Sequence, residues 1–202
     1  MTQAQWFEAT GEFPSGAVIG RRCRHGLVTA QHPVECVTAD ECELVLGRLG
    51  LQLPTEAQWE YAASGAAKTR FWWGSEVKDA DMGRYANLRD RSWGTPPFLD
   101  TDDGYLDTAP VGSYRPNRFG IFDCVGNVQE WCSDYLLAYD KARARPGDGL
   151  RAPTGTARIL RGGSYCSHEN FSHWNRRDDH DDRRQADIGV RPMRMLDPED
   201  GR

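Results

Sequence analysis

From Ala66 to Arg118 the chain carries glycine, proline, aspartate and asparagine in quantity, with only short apolar clusters between them. Such a stretch cannot sustain the period of a long helix or strand, so loops dominate the middle of the chain. Loops of this length inside a packed domain need an internal staple. Asn87, Asp102, Asp103, Asp107, Asp123, Asn127 and Glu130 supply hard oxygens and irregular backbone supplies carbonyls, a donor set that suits Ca²⁺. The same side chains also serve turns through local hydrogen bonds, and spacing alone does not separate the two roles.

Regular structure is expected on either side. Thr38 and Asp40 cap a helix through about Gly50, and Thr55-Glu-Ala-Gln58 forms a capping box for a second, with Trp59, Ala62 and Ala63 at helical spacing and Pro54 and Gly65 as its punctuation. Arg158-Ile-Leu-Arg-Gly-Gly-Ser-Tyr165 predicts a strand running into a glycine bend, with Asp187-Ile-Gly-Val-Arg-Pro192 as its returning partner. Aromatic side chains from Phe71 to Trp174 provide the bulk that sparse regular elements cannot.

Composition bounds the class. With 202 residues, 39% of them hydrophobic, and 21 glycines, the chain can bury one core. No apolar run approaches the roughly 18 residues of a membrane span, and Met1-Thr-Gln-Ala-Gln-Trp6 lacks the pattern of a secretory signal, so a cytoplasmic domain is expected. A net charge of −5 without a basic stripe argues against nucleic acid as a partner. The six cysteines form no C-x-x-C pair, which removes zinc ribbons and thioredoxin-type chemistry and leaves small buried hydrophobes as their ordinary role.

Five motifs in order carry a resemblance: Leu53-Pro-Thr-Glu-Ala-Gln-Trp-Glu-Tyr-Ala-Ala63, Asp103-Gly-Tyr with Thr108-Ala-Pro-Val111, Asn117-Arg-Phe-Gly-Ile-Phe-Asp-Cys-Val-Gly-Asn-Val-Gln-Glu-Trp131, Arg161-Gly-Gly-Ser164 and Ile188-Gly-Val-Arg191. Together they resemble the formylglycine-generating enzyme, or sulfatase-modifying factor, family. The resemblance implies an α+β, C-type-lectin-like fold, loop-rich with little regular secondary structure, over residues 1–194, with 195–202 as a disordered tail. It also implies two structural Ca²⁺ sites: one at Asn87, Leu88, Asp103 and Tyr105, the other at Asp123, Gly126, Val128 and Glu130. Asp123 stands where the family usually has Asn, which keeps the oxygen and adds charge.

The family's oxidation of a substrate cysteine with O₂ and Cu(I) uses two cysteines five residues apart, just after the G-G-S-[YF] bend, as soft ligands. Aligning Gly162-Gly-Ser-Tyr165 without gaps puts Ser167 and Ser172 at those places, and a neutral hydroxyl cannot replace a thiolate toward Cu(I). Cys166, His168 and His173 lie in the same stretch, and imidazole suits copper and non-haem iron, so a Cys/His/His site is one alternative; solvated loop histidines are the other. His168-Glu169 with His173 is not the helical zinc motif, because the second histidine falls one residue late. The run Arg176-Arg-Asp-Asp-His-Asp-Asp-Arg-Arg184 is expected to turn the chain back to its last strand. The family's usual leading strand is missing from the front of the sequence, which calls for a homodimer mate or partner chain over the exposed edge, or else a shorter sheet.

Three functions follow, in this order. The first is a non-catalytic, calcium-stabilised module that binds a peptide, protein or small molecule through Tyr165, His168, His173, Trp174, Arg176 and Arg177 in the polar loop 165–184. The second is a copper or non-haem iron oxidoreductase at Cys166, His168 and His173, with Ser167 and Ser172 as neighbours. The third is authentic formylglycine generation on a sulfatase cysteine.

Overall fold

The computed structural model describes residues 1–23, 26–75, 79–94, 99–141, 143–167, 177–179 and 184–196. Helix α1 (Gln3–Thr10) opens the chain, followed by a two-residue ribbon, β1 (Arg22–Cys23) and β2 (Gly26–Leu27). Helices α2 (Ala39–Arg48) and α3 (Glu56–Ser64) come next, then one turn of helix, α4 (Asp79–Met82), and a 3₁₀ turn at Arg91–Trp93. The remaining elements are strands: β3 (Gln129–Tyr135), β4 (Arg158–Arg161), β5 (Arg177–Asp179) and β6 (Ile188–Gly189).

All three long helices begin with a capping box. Thr2 with Gln5, Thr38 with Glu41 and Thr55 with Gln58 each exchange side-chain and backbone bonds across the first turn. The second and third agree with the sequence reading; α1 lies outside it, although Thr2-Gln-Ala-Gln5 carries the same signature. Helix α3 ends on Gly65 in the left-handed region (φ 56°). On α2 the buried positions are Ala39, Cys42, Val45 and Leu46, the spacing of one helical face.

That face packs on the four-stranded sheet, whose order is β5-β4-β3-β6. β3 is central and buried along most of its length, and Trp131, fully enclosed, donates its indole N–H to the Val37 carbonyl at 2.9 Å. Trp6, Val34, Leu46, Trp131, Leu160 and Ile188 belong to this main core, while Trp59, Ala63, Cys124, Cys132 and Ile159 form a second cluster under α3. β3 and β4 run antiparallel with Trp131 opposite Leu160.

The last strand differs from the sequence expectation. β6 pairs in parallel with β3, with Gln129 opposite Ile188, whereas β4 takes β5 as its other neighbour. Gly189 explains the placement. A Cβ there would lie 2.5 Å from the Val34 carbonyl oxygen, so only glycine admits the 33–37 segment, which bridges at Glu35, against the far side of β6. Within the charged run Arg177–Asp179 form β5, antiparallel to β4, and residues 176 and 180–183 lie outside the described residues. No helix among the described residues is long and apolar enough to cross a membrane.

Candidate functional site

The long middle loops close around two knots of polar groups. In the first, Asn87 is fully buried; its amide donates to the Asp107 carbonyl at 2.9 Å and to Asn127 Oδ1 at 3.5 Å, while its own Oδ1 is enclosed and receives no hydrogen bond. Asp103 lies beside it, with Oδ2 accepting the Leu88 N–H and Oδ1 accepting the Tyr105 N–H, both at 2.9 Å. Burial pushes the Asp103 carboxyl up to about 7, and the nearby Asp90 charge adds to the rise. The four residues expected to form the first calcium site are thus gathered together. A buried acceptor without a donor, next to a desolvated carboxylate, fits a hard cation.

The second knot is the turn from Asp123 to Asn127, where Asp123, Gly126 and Asn127 all have positive φ (55°, 79° and 64°). Asp123 Oδ2 accepts the Gly112 N–H at 2.7 Å, whereas Oδ1 is buried without a partner, and burial raises this carboxyl too. Glu130, however, is already engaged. Its Oε2 receives the Trp59 indole N–H at 2.6 Å and Arg191 Nε at 2.7 Å, and its Oε1 receives Arg191 Nη2 at 2.7 Å. The same Nη2 reaches the Phe122 carbonyl at 2.9 Å. A cavity of about 370 Å³ adjoins the turn, lined in part by Asp123, Val128, Glu130 and Arg191. With the guanidinium neutralising Glu130, this set fits a second Ca²⁺ less well than the first.

The third feature is the bend after β4. Gly162 and Gly163 (φ 94° and 71°) swing the chain so that Ser164, fully buried, faces Asp187. Asp187 Oδ2 collects three donors: Ser164 Oγ at 2.9 Å, Gln129 Nε2 at 3.0 Å and Cys166 Sγ at 3.5 Å. Ser167 turns inward, its Oγ accepting the Ser164 N–H at 3.0 Å and lying 3.2 Å from Ser164 Oγ, and its carbonyl takes the Arg89 N–H at 3.1 Å. Tyr165 donates its backbone N–H to the Asn127 carbonyl, tying the bend to the second knot, and its ring stacks on Trp93 with centroids 6.1 Å apart.

Burial raises the Cys166 thiol, and the bond to Asp187 acts in the same direction. A hydrogen-bonded serine hydroxyl is a poor ligand for Cu(I), which leaves Cys166 as the soft donor in the described part of the bend. Among the described residues no group of three or more His, Cys, Asp or Glu side chains is arranged to hold a metal; the first calcium set joins a single carboxylate, Asp103, to amide and carbonyl oxygens. Ser172, His168, His173, Trp174 and Arg176 lie outside the described residues, and Arg177 is placed in β5 opposite Leu160. Sequence reasoning misses Asp187, Gln129 and Ser164 as partners of the bend. The available signal was an acidic residue directly before the Ile188-Gly-Val-Arg191 strand.

A family model for the sulfatase-modifying factor enzyme 1-like domain matches residues 4–196. The chain belongs to the formylglycine-generating enzyme family. Relatives in it include the formylglycine-generating enzyme of Streptomyces coelicolor, 43% identical over 143 residues, and that of Bos taurus, 35% identical over a stretch of the same length. Each alignment covers 69% of this chain but only 44% and 37% of the relative, so the chain spans less than half the length of these enzymes. Among solved structures, PvdO from Pseudomonas aeruginosa superposes with a TM-score of 0.74 at 26% identity, covering 96% of this chain and 77% of PvdO. Treponema denticola variable protein 1 gives 0.72 at 23%, covering 95% and 81%, a likeness of fold. The formylglycine-generating-enzyme fold is therefore retained here, with helices α2 and α3 stacked on a small sheet and long loops elsewhere.

Proposed function

We propose that this formylglycine-generating-enzyme-like domain is a non-catalytic, calcium-stabilised binding module that presents the surface of segment 165–184 to a peptide, protein or small-molecule ligand. One observation carries the reading. Where the family's first copper cysteine would stand, Ser167 Oγ is bonded to the Ser164 N–H, inside a network that ends on Asp187. The Ser167 hydroxyl offers no soft donor at that position, and the neighbouring Cys166 thiol is tied to Asp187. Asn87 Oδ1 and the Asp103 carboxylate support Ca²⁺ as the staple of the loops beneath it.

Metal content and turnover test this together. Protein purified without chelators should carry calcium and no stoichiometric copper or iron, and a sulfatase-type cysteine peptide incubated with it, copper and O₂ should not show the mass loss of conversion to formylglycine. Stoichiometric copper or iron that disappears in His168→Ala with His173→Ala would overturn the reading in favour of an oxidoreductase. Conversion of the peptide would restore the enzymatic one.

A further inference from the structure

A second cavity, of about 400 Å³, opens beside α3 and uses none of the residues of the bend. Its lining includes Glu56, Glu60, Tyr61, Ser64, Tyr139 and Arg151. We propose that it binds a neutral, hydroxyl-rich ring, that is, a monosaccharide unit.

The charges come first. Glu56 is 1% exposed and Arg161, just beneath, is also 1% exposed. Arg161 pairs with both carboxylates, 3.7 Å from Glu56 Oε1 and 2.9 Å from Glu60 Oε2, while its guanidinium lies over the Trp59 ring. Arg151 supplies a second cation, stacked 5.2 Å from the Tyr139 ring centroid, and the Tyr139 hydroxyl donates to Glu56 Oε1 at 3.0 Å. Two carboxylates and two guanidiniums leave the cavity without formal net charge, so neither sign of ion has an excess partner. What the cavity retains is hydrogen-bonding capacity: carboxylate oxygens at Glu60, which keeps half its side chain in solvent, the Tyr61 hydroxyl, and the acceptor lone pairs of the Tyr139 hydroxyl, whose proton goes to Glu56.

The rim supplies the apolar half. Tyr61 is 67% exposed and Tyr139 53% exposed, so two large rings line a polar cavity without being used in a core. A sugar ring offers C–H faces to aromatic surfaces and hydroxyls to paired carboxylate and guanidinium groups, which matches both halves at once. An amine would need an unbalanced carboxylate and a phosphate an unbalanced guanidinium. With Arg151 counted beside Arg161, two guanidiniums stand against two carboxylates and neither is in excess.

The full chain should be titrated with glucose, galactose, mannose and N-acetylglucosamine, following ligand-observed NMR and intrinsic tryptophan fluorescence. At least one sugar should bind, and Tyr61→Ala and Glu60→Gln, with unchanged circular dichroism, should each weaken it by about tenfold, equivalent to about 1.4 kcal/mol. Leu44→Ala, a surface control, should bind as the parent does. The proposal is overturned if no sugar binds, if binding survives both variants unchanged, or if putrescine binds in preference to every sugar. None of these outcomes bears on the reading of the bend, which uses different residues and a different assay.

Discussion

Asp90 accepts the backbone N–H of Asp103 at 2.6 Å, so two buried carboxylates share one loop. The arrangement costs energy unless a cation or a proton answers the charge. For Asp103 the ordinary value of 3.8 rises to about 7, first through burial and then through Asp90. The unfolded chain ionises near 3.8 and the calcium-free fold only near 7. The fold is therefore favoured while the carboxyl is protonated, and that contribution is complete below about pH 4 and lost as pH rises through 7.

Calcium dependence should accordingly grow with pH. Chelation at pH 8 should lower the melting temperature by about 5–10 °C, given an ion present at about a hundred times its dissociation constant. At pH 5.5 the gap should shrink, because the proton then competes with the ion for Asp103. In Asp103→Asn the chelated and calcium-loaded melting curves should coincide at both pH values. A chelation effect as large at pH 5.5 as at pH 8 would contradict the assignment.

A different test concerns the bend. Cys166 donates to Asp187 at 3.5 Å from a half-buried position, and burial followed by the Asp187 charge and hydrogen bond holds the thiol above its ordinary value. Iodoacetamide should modify Cys166 in the native protein more slowly at pH 7.5 than it modifies a free thiol, with the rate rising only at more alkaline pH. Asp187→Asn removes the charge and should speed the reaction without exposing Cys132, which is fully buried. Native-state labelling at the free-thiol rate, read by mass spectrometry, would show that neither burial nor Asp187 holds the Cys166 thiol above its ordinary value.

Much of this architecture is legible in the amino-acid sequence. Capping boxes announce α2 and α3 because they are local, self-contained hydrogen-bond patterns. The calcium residues are legible only as donors: that Asn87 Oδ1 lacks a partner while its amide group is fully bonded depends on Asp107 and Asn127, 20 and 40 residues away. The pairing of β6 with β3 escapes the sequence for a related reason. A two-residue strand has no periodicity to read, and its neighbour is chosen by the close approach of Val34 to Gly189, a long-range packing constraint. Asp187 is likewise hidden, since its partners Ser164 and Gln129 meet it only once the sheet is formed.

The Glu130–Arg191 pair lies under α3, and removing one partner should cost more than removing both. Arg191→Met leaves Glu130, 5% exposed, with the Trp59 indole as its remaining side-chain donor, and should lower stability by about 3–5 kcal/mol. Adding Glu130→Gln should recover part of that loss, because the uncompensated charge disappears. Urea denaturation of the parent, the single and the double variant gives the comparison. A double variant no more stable than Arg191→Met would mean that the loss comes from packing around the guanidinium stem.

Gly126 joins the two knots, and its replacement should damage both. It has φ 79°, and a Cβ built on it would lie 2.0 Å from the Asn87 carbonyl oxygen and 2.8 Å from the carbon of the same group. Neither atom is the end of a flexible side chain, so the strand of loop carrying Asn87 and Leu88 must move as backbone. Gly120 makes a matched control: its φ is 76°, but a Cβ there meets nothing within 4 Å. Gly120→Ala should therefore cost only the left-handed penalty, about 1 kcal/mol, whereas Gly126→Ala should cost about 3–5 kcal/mol through the added displacement. Because the displaced carbonyl belongs to the residue whose Oδ1 is offered to calcium, Gly126→Ala should also weaken calcium binding, measured by competition with a chromophoric chelator, and Gly120→Ala should not. Equal losses in the two variants would mean that the contact between Gly126 and Asn87 yields without strain and that the two knots are independent.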